Sequence, residues 1–401
     1  MKKDNRREFL KKSLLGLSGA ALAPGIINGY PELLSSDLTV PELPVRTLGR
    51  TGIKTPLISM GGAEASTPSF VRAAYEAGIK LFFSATYYGE GKNEQLVGEG
   101  LKDLPRDTFV LGTAVPPDNF DNRTGKFKTA FDVDSYLRKA EGSLKRFGLD
   151  HVDIFLFPYA GKRETVMNEG VLKALQQLKK QGKTRFLGIA SHSDTEEALN
   201  AAVDAGIYDI AMIAYNYKVP GKDSLNAAVT AAVKAGMGVV AMKTIAGAGR
   251  PTSPVNSDAI LKWVLQNENI TSIVSGMSSL EQMQKNLAMI RNLKMTEQEM
   301  KDLNLGLLDK ENDLYCRQCR QCIPQCPHDI DIPTIMRSYM YAYGYSNIPQ
   351  AWHTLADSGI RNNPCGNCPE CSVKCTAGFD VRKKIYDISR LRSVPEDFLI
   401  V

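Results

Sequence analysis

Cys316-Arg-Gln-Cys319-Arg-Gln-Cys322-Ile-Pro-Gln-Cys326-Pro327 and Cys365-Gly-Asn-Cys368-Pro-Glu-Cys371-Ser-Val-Lys-Cys375 hold all eight cysteines of the 401-residue chain. Each run has the form C-x2-C-x2-C-x3-C. Three thiolates in a C-x2-C-x2-C turn can reach three irons of one cubane, and the fourth, carried away by the x3 turn, completes a second cubane. The expected ligand sets are Cys316, Cys319, Cys322 and Cys375 for one 4Fe-4S cluster, and Cys365, Cys368, Cys371 and Cys326 for the other. Two rival chemistries fit less well. Disulfide frameworks scatter cysteines through a small fold, whereas these crowd the last quarter of a long chain. Zinc ribbons use cysteine pairs, not unbroken quartets.

The two runs are an internal repeat and resemble a two-cluster bacterial ferredoxin, with Thr376 where the first run has Pro327. The 38 residues between them exceed what a minimal module of this kind uses. Pro333 to Gly344 reads as a helix with Met336, Tyr339, Met340 and Tyr343 on one side. Those side chains are read as packing rather than as an electron path. Residues 306–401 are thus expected to be a small, largely helical ferredoxin-like domain with two 4Fe-4S clusters.

At the other end, Asn5-Arg6-Arg7-Glu8-Phe9-Leu10-Lys11 resembles a twin-arginine export signal, and a mildly apolar stretch from Leu14 to Ile27 follows. Glycines and Pro24 make that stretch a poor membrane span. The bland alternative is a basic tail. Export by the twin-arginine machinery suits a protein that must fold around metal before it crosses a membrane. Ala21-Leu22-Ala23 has the small-x-small form of a cleavage site, but Pro24 should hinder the peptidase, so cleavage and a retained anchor both stay open. The expected location is the periplasm or its side of the membrane. Residues 1–29 are read as the signal and 30–44, with Pro31, Pro41 and Pro44, as a linker. A net charge of +5 is modest, and nothing argues for nucleic acid.

Between these ends, apolar strand-like runs alternate eight times with helical patterns from about Thr55 to Leu293. The strands are expected near Leu57–Met60, Lys80–Ser84, Phe109–Thr113, Val152–Phe157, Phe186–Ala190, Ile210–Ala214, Gly238–Met242 and Ser272–Ser275. Val166–Lys180, Thr195–Ala205 and Leu225–Ala235 read as helices ended by Lys-Gly or Ala-Gly stops. Eight such units predict a (β/α)8 TIM barrel over residues 45–305. A doubly wound sheet is the alternative, but no G-x-G-x-x-G turn follows the first strand.

Val45-Arg-Thr-Leu-Gly-Arg-Thr-Gly-Ile53, Gly78 to Gly89 with Asn93-Glu94, and Ser275 to Asn286 together resemble the aldo/keto reductases, in particular the branch with a ferredoxin-like extension. The resemblance implies an Asp, a Tyr, a Lys and a His at successive strand ends, the Tyr giving a proton to a carbonyl as hydride arrives. Tyr88 matches the Tyr. The Asp, Lys and His positions fall on Phe83, Ala114 and Pro158. A lone tyrosine keeps a pKa near about 10 and is a poor acid at neutral pH. Lys243, after the seventh strand, is the candidate replacement cation, against a solvated or structural lysine; His192, after the fifth, is a second candidate, against an interior hydrogen-bonded histidine. The resemblance assigns Ser278, Ser279, Gln282 and Asn286 to the phosphate and adenine of NADP(H), at a helix N-terminus. The family's basic residue in that turn falls on Met277, and a capped helix explains the serines nearly as well.

The leading reading is an exported iron-sulfur oxidoreductase that passes single electrons between two clusters and a small-molecule substrate or cofactor at the barrel mouth, with an unidentified redox partner. The rivals are a barrel without chemistry that binds a partner or relays electrons, and an NADPH-dependent carbonyl reductase with a relocated proton donor.

Overall fold

The computed structural model describes residues 42–219, 221–247, 255–308 and 313–399. The expected export signal and almost all of the linker lie outside the described residues. Among the described residues no helix is long and apolar enough to cross a membrane.

The fold begins with a hairpin, β1 (Val45–Thr47) paired with β2 (Lys54–Pro56). Its turn plugs one end of the barrel: Leu48 is fully buried and packs with Leu81, Ile154, Ile210 and Val240. Gly49 has φ +52, and a Cβ there would stand 2.3 Å from the Gly238 nitrogen. Only glycine lets the turn lie this close to a strand.

The barrel strands are β3 (Ile58–Gly61), β4 (Leu81–Phe83), β5 (Val110–Ala114), β8 (Val152–Phe157), β9 (Thr184–Ser191), β10 (Ile210–Ala214), β11 (Gly238–Met242) and β12 (Ser272–Gly276). A separate ribbon, β6 (Phe120–Asp121) with β7 (Lys126–Phe127), sits in the loop after β5. All neighbouring barrel strands run parallel, and β12 closes the ring on β3 with Ile273 opposite Ile58. Strands covered on both faces need unbroken apolar runs. β10 and β11 are buried at every residue, in agreement.

The helices that follow the strands are α1 (Pro68–Glu76), α2 (Lys92–Leu101), α3 (Val133–Phe147), α4 (Arg163–Val166), α5 (Glu169–Lys180), α6 (Thr195–Ala205), α7 (Lys222–Lys234), α8 (Ser257–Leu265) and α9 (Leu280–Met289). The helix expected over Val166–Lys180 is two helices. Asn168 Oδ1 accepts hydrogen bonds from the Gly170 and Val171 amides, which starts a new helix three residues after the first ends. α7 starts three residues before the expected Leu225, at Lys222.

α10 (Glu297–Leu308) leads out of the barrel, and α11 (Ile332–Tyr345), α12 (Ile348–Asp357) and α13 (Val381–Ser389) carry the cysteine-rich part. Asp331 caps α11 through the Thr334 amide, with Pro333 in its first turn. Its buried face includes Ile335, Met336, Met340 and Tyr341. Tyr343, expected on the packing side, is 38% exposed; it stacks on Tyr339 with ring centroids 4.3 Å apart. Six of the eight cysteines, all but Cys319 and Cys368, belong to or pack against a core of their own with Ile332, Ile335, Phe379 and Ile385. A separate apolar cluster joins Tyr217, Ala246 and Ile260 of the barrel to Leu314, Met340 and Tyr341. The Lys218–Asp313 pair at 3.0 Å and the Arg320–Asp194 pair at 2.9 Å add charged ties.

Candidate active site at the barrel mouth

The C-terminal strand ends open into a cavity of about 370 Å³ whose floor includes Phe83, Ala114, Leu156, Met212, Met242 and Val274. Active sites of such barrels lie at this end. Phe83 and Ala114, where the resemblance puts an Asp and a Lys, both line this floor, which is apolar there. Pro158 does not line the cavity; Leu156 forms that wall.

Tyr88 lies on the cavity edge beside Tyr87, with ring centroids 4.9 Å apart. The loop that carries both is tied down by residues that follow it. Asn93 Nδ2 donates to the Gly62 carbonyl and Asn93 Oδ1 accepts from Ser84, each at 2.6 Å. Glu94 accepts from Thr113, Ser143 and Arg146. Burial raises the pKa of Tyr88, the Tyr341 and Glu64 charges raise it further, and Arg337 with the Tyr87 hydrogen bond offsets part of this.

α11 roofs the cavity with Tyr341, Gly344 and Tyr345. Lys243 reaches up from the end of β11, and its Nζ donates a hydrogen bond to the Tyr341 hydroxyl. The ammonium lies 4.3 Å from the Tyr341 ring centroid. Lys243 has φ +56, a conformation uncommon for a side-chain-bearing residue. Its carbonyl is fixed from two sides, by Asn216 Nδ2 at 3.1 Å and by the Ala246 amide at 3.2 Å. His192 also lines the cavity. Burial holds its pKa well below the usual histidine range, and the Lys243 and Arg337 charges push it lower, so the ring is neutral. Glu64, on the same wall, accepts from Asn347 Nδ2 at 2.6 Å; burial raises its pKa, with Asn347 and Lys243 pulling the other way.

On the opposite rim, Ser275, Gly276, Ser278, Gln282, Lys285 and Asn286 line the cavity around the start of α9. Ser279 does not. Its hydroxyl accepts from the Gln282 amide at 3.2 Å and caps the helix. Ser278 donates to Gln282 Oε1 from its amide at 2.9 Å, and Asn286 Nδ2 donates to Ser275 at 3.1 Å. Met277 is fully buried away from the rim. The cation here is Lys285, 3.2 Å from Ser257 and 3.4 Å from Asp258. A helix N-terminus, a serine and a lysine on one cavity edge fit the phosphates of a dinucleotide.

The cysteines are all unpaired. The electrostatic neighbours of Cys316 are Cys319, Cys322 and Cys375, and those of Cys365 are Cys368, Cys371 and Cys326. Burial pushes the Cys316 thiol up to about 12 and Cys365 up to about 11, with repulsion among each set adding to it. Thiols crowded in this way ionise together only around a cationic core, which fits iron-sulfur ligation. Among the described residues no three His, Cys, Asp or Glu side chains converge closely enough for a single metal ion. A second, small cavity of about 10 Å³ is lined by His192, Lys243, Tyr315, Cys316, Arg337 and Met340. It has room for about one water. His192 and Lys243 therefore face the barrel mouth on one side and a cysteine of the first quartet on the other.

Of the site residues expected from sequence, Tyr88, Lys243, Ser278, Gln282 and Asn286 meet in one cavity. Lys243 bonds Tyr341 rather than Tyr88. Tyr341, Tyr345, Glu64 and Lys285 were not anticipated. No sequence signal marked the first three; Lys285 was visible as a basic residue one position before Asn286.

The aldo/keto reductase family model matches residues 61–260, and a 4Fe-4S dicluster domain model matches residues 315–380. L-galactose dehydrogenase of Arabidopsis thaliana is 28% identical over 307 residues, covering 66% of this chain and 93% of the relative. L-glyceraldehyde 3-phosphate reductase of Escherichia coli (strain K12) is 22% identical over 334 residues, 68% of this chain and 95% of the relative. Among solved structures, an aldo-keto reductase from Bacillus halodurans in its holo form aligns with TM-score 0.53 at 20% identity, over 66% of this chain and 96% of that one. An aldo-keto reductase from Klebsiella pneumoniae in complex with NADPH aligns with TM-score 0.51 at 20% identity, over the same shares of 66% and 96%.

Proposed function

The chain is an oxidoreductase of the aldo/keto reductase superfamily with a C-terminal 4Fe-4S dicluster domain, and from that premise we propose that it moves electrons between the cluster held by Cys316 and a substrate or nicotinamide cofactor bound at the barrel mouth. The observation that carries this reading is the small cavity in which Cys316, Lys243 and His192 meet. When bound, NADP(H) would supply or accept hydride, and two 4Fe-4S clusters would supply or accept single electrons.

The chain's own residues divide the work. Ser278, Gln282, Lys285 and Asn286 hold the nucleotide at the start of α9, and Lys285 takes the cationic role that Met277 does not. Phe83, Leu156, Met212 and Met242 give an apolar floor that keeps water from the reacting carbon. The Asp, Lys and His of the usual tetrad are absent, so Lys243 is the cation nearest the chemistry. Neutral His192 fills the wall between mouth and cluster.

The proposal also sends the protein across the cytoplasmic membrane by the twin-arginine route, supported by Asn5 to Lys11. An unidentified redox partner would then exchange electrons with the exposed side of the cluster domain. Replacing Arg6 and Arg7 together by Lys should leave the protein in the cytoplasmic fraction. Equal appearance of wild type and variant in the periplasmic fraction would remove the export part.

The redox part is tested by adding NADPH anaerobically to iron-loaded protein and following the visible cluster absorbance, with dithionite as the control. Bleaching by NADPH supports the reading. Bleaching by dithionite alone would exclude NADPH as donor.

A further inference from the structure

We propose that the catalytic acid of the barrel is Tyr341 of α11, so that the cluster domain completes the active site, with Lys243 as its positioning residue. This rests on the reading that the mouth binds a nicotinamide and a substrate, and it narrows that substrate to a carbonyl compound. Tyr341 and Lys243 line the same cavity, their hydroxyl and ammonium are hydrogen-bonded, and the pair stands over the apolar floor. The lysine is pre-set for this partner. Its left-handed backbone is held by Asn216 and Ala246, which directs the side chain toward the roof.

Tyr88 is differently placed. Its hydroxyl is engaged with Tyr87, and the charges that act on it come from Tyr341, Glu64 and Arg337. A tyrosine becomes an effective acid when a cation stabilises the tyrosinate that forms. The structure gives that cation to Tyr341. The groups that face the pair are Glu64 on the barrel side, Arg337 and Tyr345 on α11, Tyr87, Tyr88 and His192 across the cavity, and Tyr315 with Cys316 beside Lys243 in the small cavity.

The carbonyl carbon receives hydride from a dihydronicotinamide, which is thereby oxidised to the nicotinamide cation. The π electrons of the C=O bond move to oxygen, and that oxygen takes the Tyr341 hydroxyl proton. An alcohol results, and the tyrosinate, stabilised by the Lys243 ammonium, regains its proton from water. In the reverse direction the tyrosinate accepts the proton of an alcohol.

The apolar floor suits an aromatic aldehyde as probe, so the experiment uses [carbonyl-13C]benzaldehyde with the anaerobic iron-loaded full chain. Infrared spectra with NADP+ present report the carbonyl stretch without turnover, and NADPH oxidation reports the rate. In wild type the stretch should fall on binding, because an O–H donor polarises it. Tyr341→Phe should abolish that fall and lower kcat by about 100-fold or more, with iron content and NADPH affinity unchanged. Lys243→Met should lower kcat and alter its pH profile, and Lys243→Arg should restore most of the rate. Tyr88→Phe should keep the shifted stretch.

A shifted stretch and full rate in Tyr341→Phe would overturn the proposal, as would loss of the shifted stretch in Tyr88→Phe with that stretch kept in Tyr341→Phe. Loss of iron in Tyr341→Phe and in Lys243→Arg would make the pair a structural tie and equally overturn it. A wild type that neither shifts the stretch nor oxidises NADPH would instead overturn the carbonyl-reducing reading beneath it.

Discussion

Gly344 offers a test of how the cluster domain is seated on the barrel. It lies near the end of α11, and a Cβ there would stand 3.0 Å from both Cα and O of Gly247 and 3.1 Å from Leu314 Cδ1. Carbon atoms prefer about 3.5–4.0 Å, so a methyl group demands a shift of about 0.5–1 Å between the helix and the loop after β11. Gly247 cannot relieve this, since its own missing Cβ would meet Leu314 at 2.9 Å and Met340 at 3.2 Å. Gly→Ala inside a free helix gains about 1 kcal/mol, whereas overpacking costs about 1–3 kcal/mol. For Gly344→Ala the expected net is a loss of about 1 kcal/mol. Gly142 in α3 is the control, because its added Cβ would approach only the flexible guanidinium of Arg146, at 3.4 Å. Gly142→Ala should therefore gain about 1 kcal/mol, and the two variants should differ by about 2 kcal/mol. The assay is anaerobic thermal unfolding at one scan rate, where about 2 °C in Tm accompanies each kcal/mol for a chain of this size. If Gly344→Ala raises Tm as Gly142→Ala does, α11 is not pressed onto the barrel mouth and the roof of the active site is misdescribed.

Three further expectations can be checked independently. Cys375→Ser should remove the cluster of the first cysteine run and leave the other, and Cys326→Ser should do the reverse; iron analysis and electron paramagnetic resonance of the variants decide this, and loss of the same cluster in both would break the assigned quartets. Lys285→Ala should weaken NADPH binding by about tenfold, equivalent to about 1.4 kcal/mol, with little change for NADH; equal losses would mean that Lys285 does not face the extra phosphate. Glu64 has a raised carboxyl pKa in the folded state, so the folded form keeps a proton that the unfolded chain has lost, and stability falls as pH rises above about 4.5 toward the folded value. Glu64→Gln should gain stability relative to wild type as pH rises from about 5 to neutrality, and a pH-independent difference would contradict the stated burial of that charge.

The barrel was legible because its strands are continuous apolar runs between turn residues. Val152–Phe157, Ile210–Ala214 and Gly238–Met242 match the structure end to end. The helix pattern failed at Asn168, where one side-chain cap divides an amphipathic run in two without changing its periodicity. The 4Fe-4S dicluster domain was legible because ligand spacing is local chemistry. The active-site roof was not. Lys243 and Tyr341 are 98 residues apart, and their meeting depends on how α11 lies across the mouth, which neither segment encodes alone. For the same reason Tyr343 was put on the packing face while Tyr341, two residues away, turns inward. At the rim around the start of α9 the structure separates the two serines: Ser279 caps the helix and Ser278 faces the cavity.

The most direct test of the account is rapid-freeze electron paramagnetic resonance of anaerobic, iron-loaded protein mixed with NADPH, comparing wild type with Cys365→Ser. A reduced-cluster signal is expected in both, since Cys316 faces Lys243 and His192 and the proposed transfer would deliver electrons from the barrel mouth to its cluster first. A signal with dithionite but none with NADPH in wild type would contradict it, as would a wild-type NADPH signal lost in Cys365→Ser while the Cys316 cluster is still reduced by dithionite.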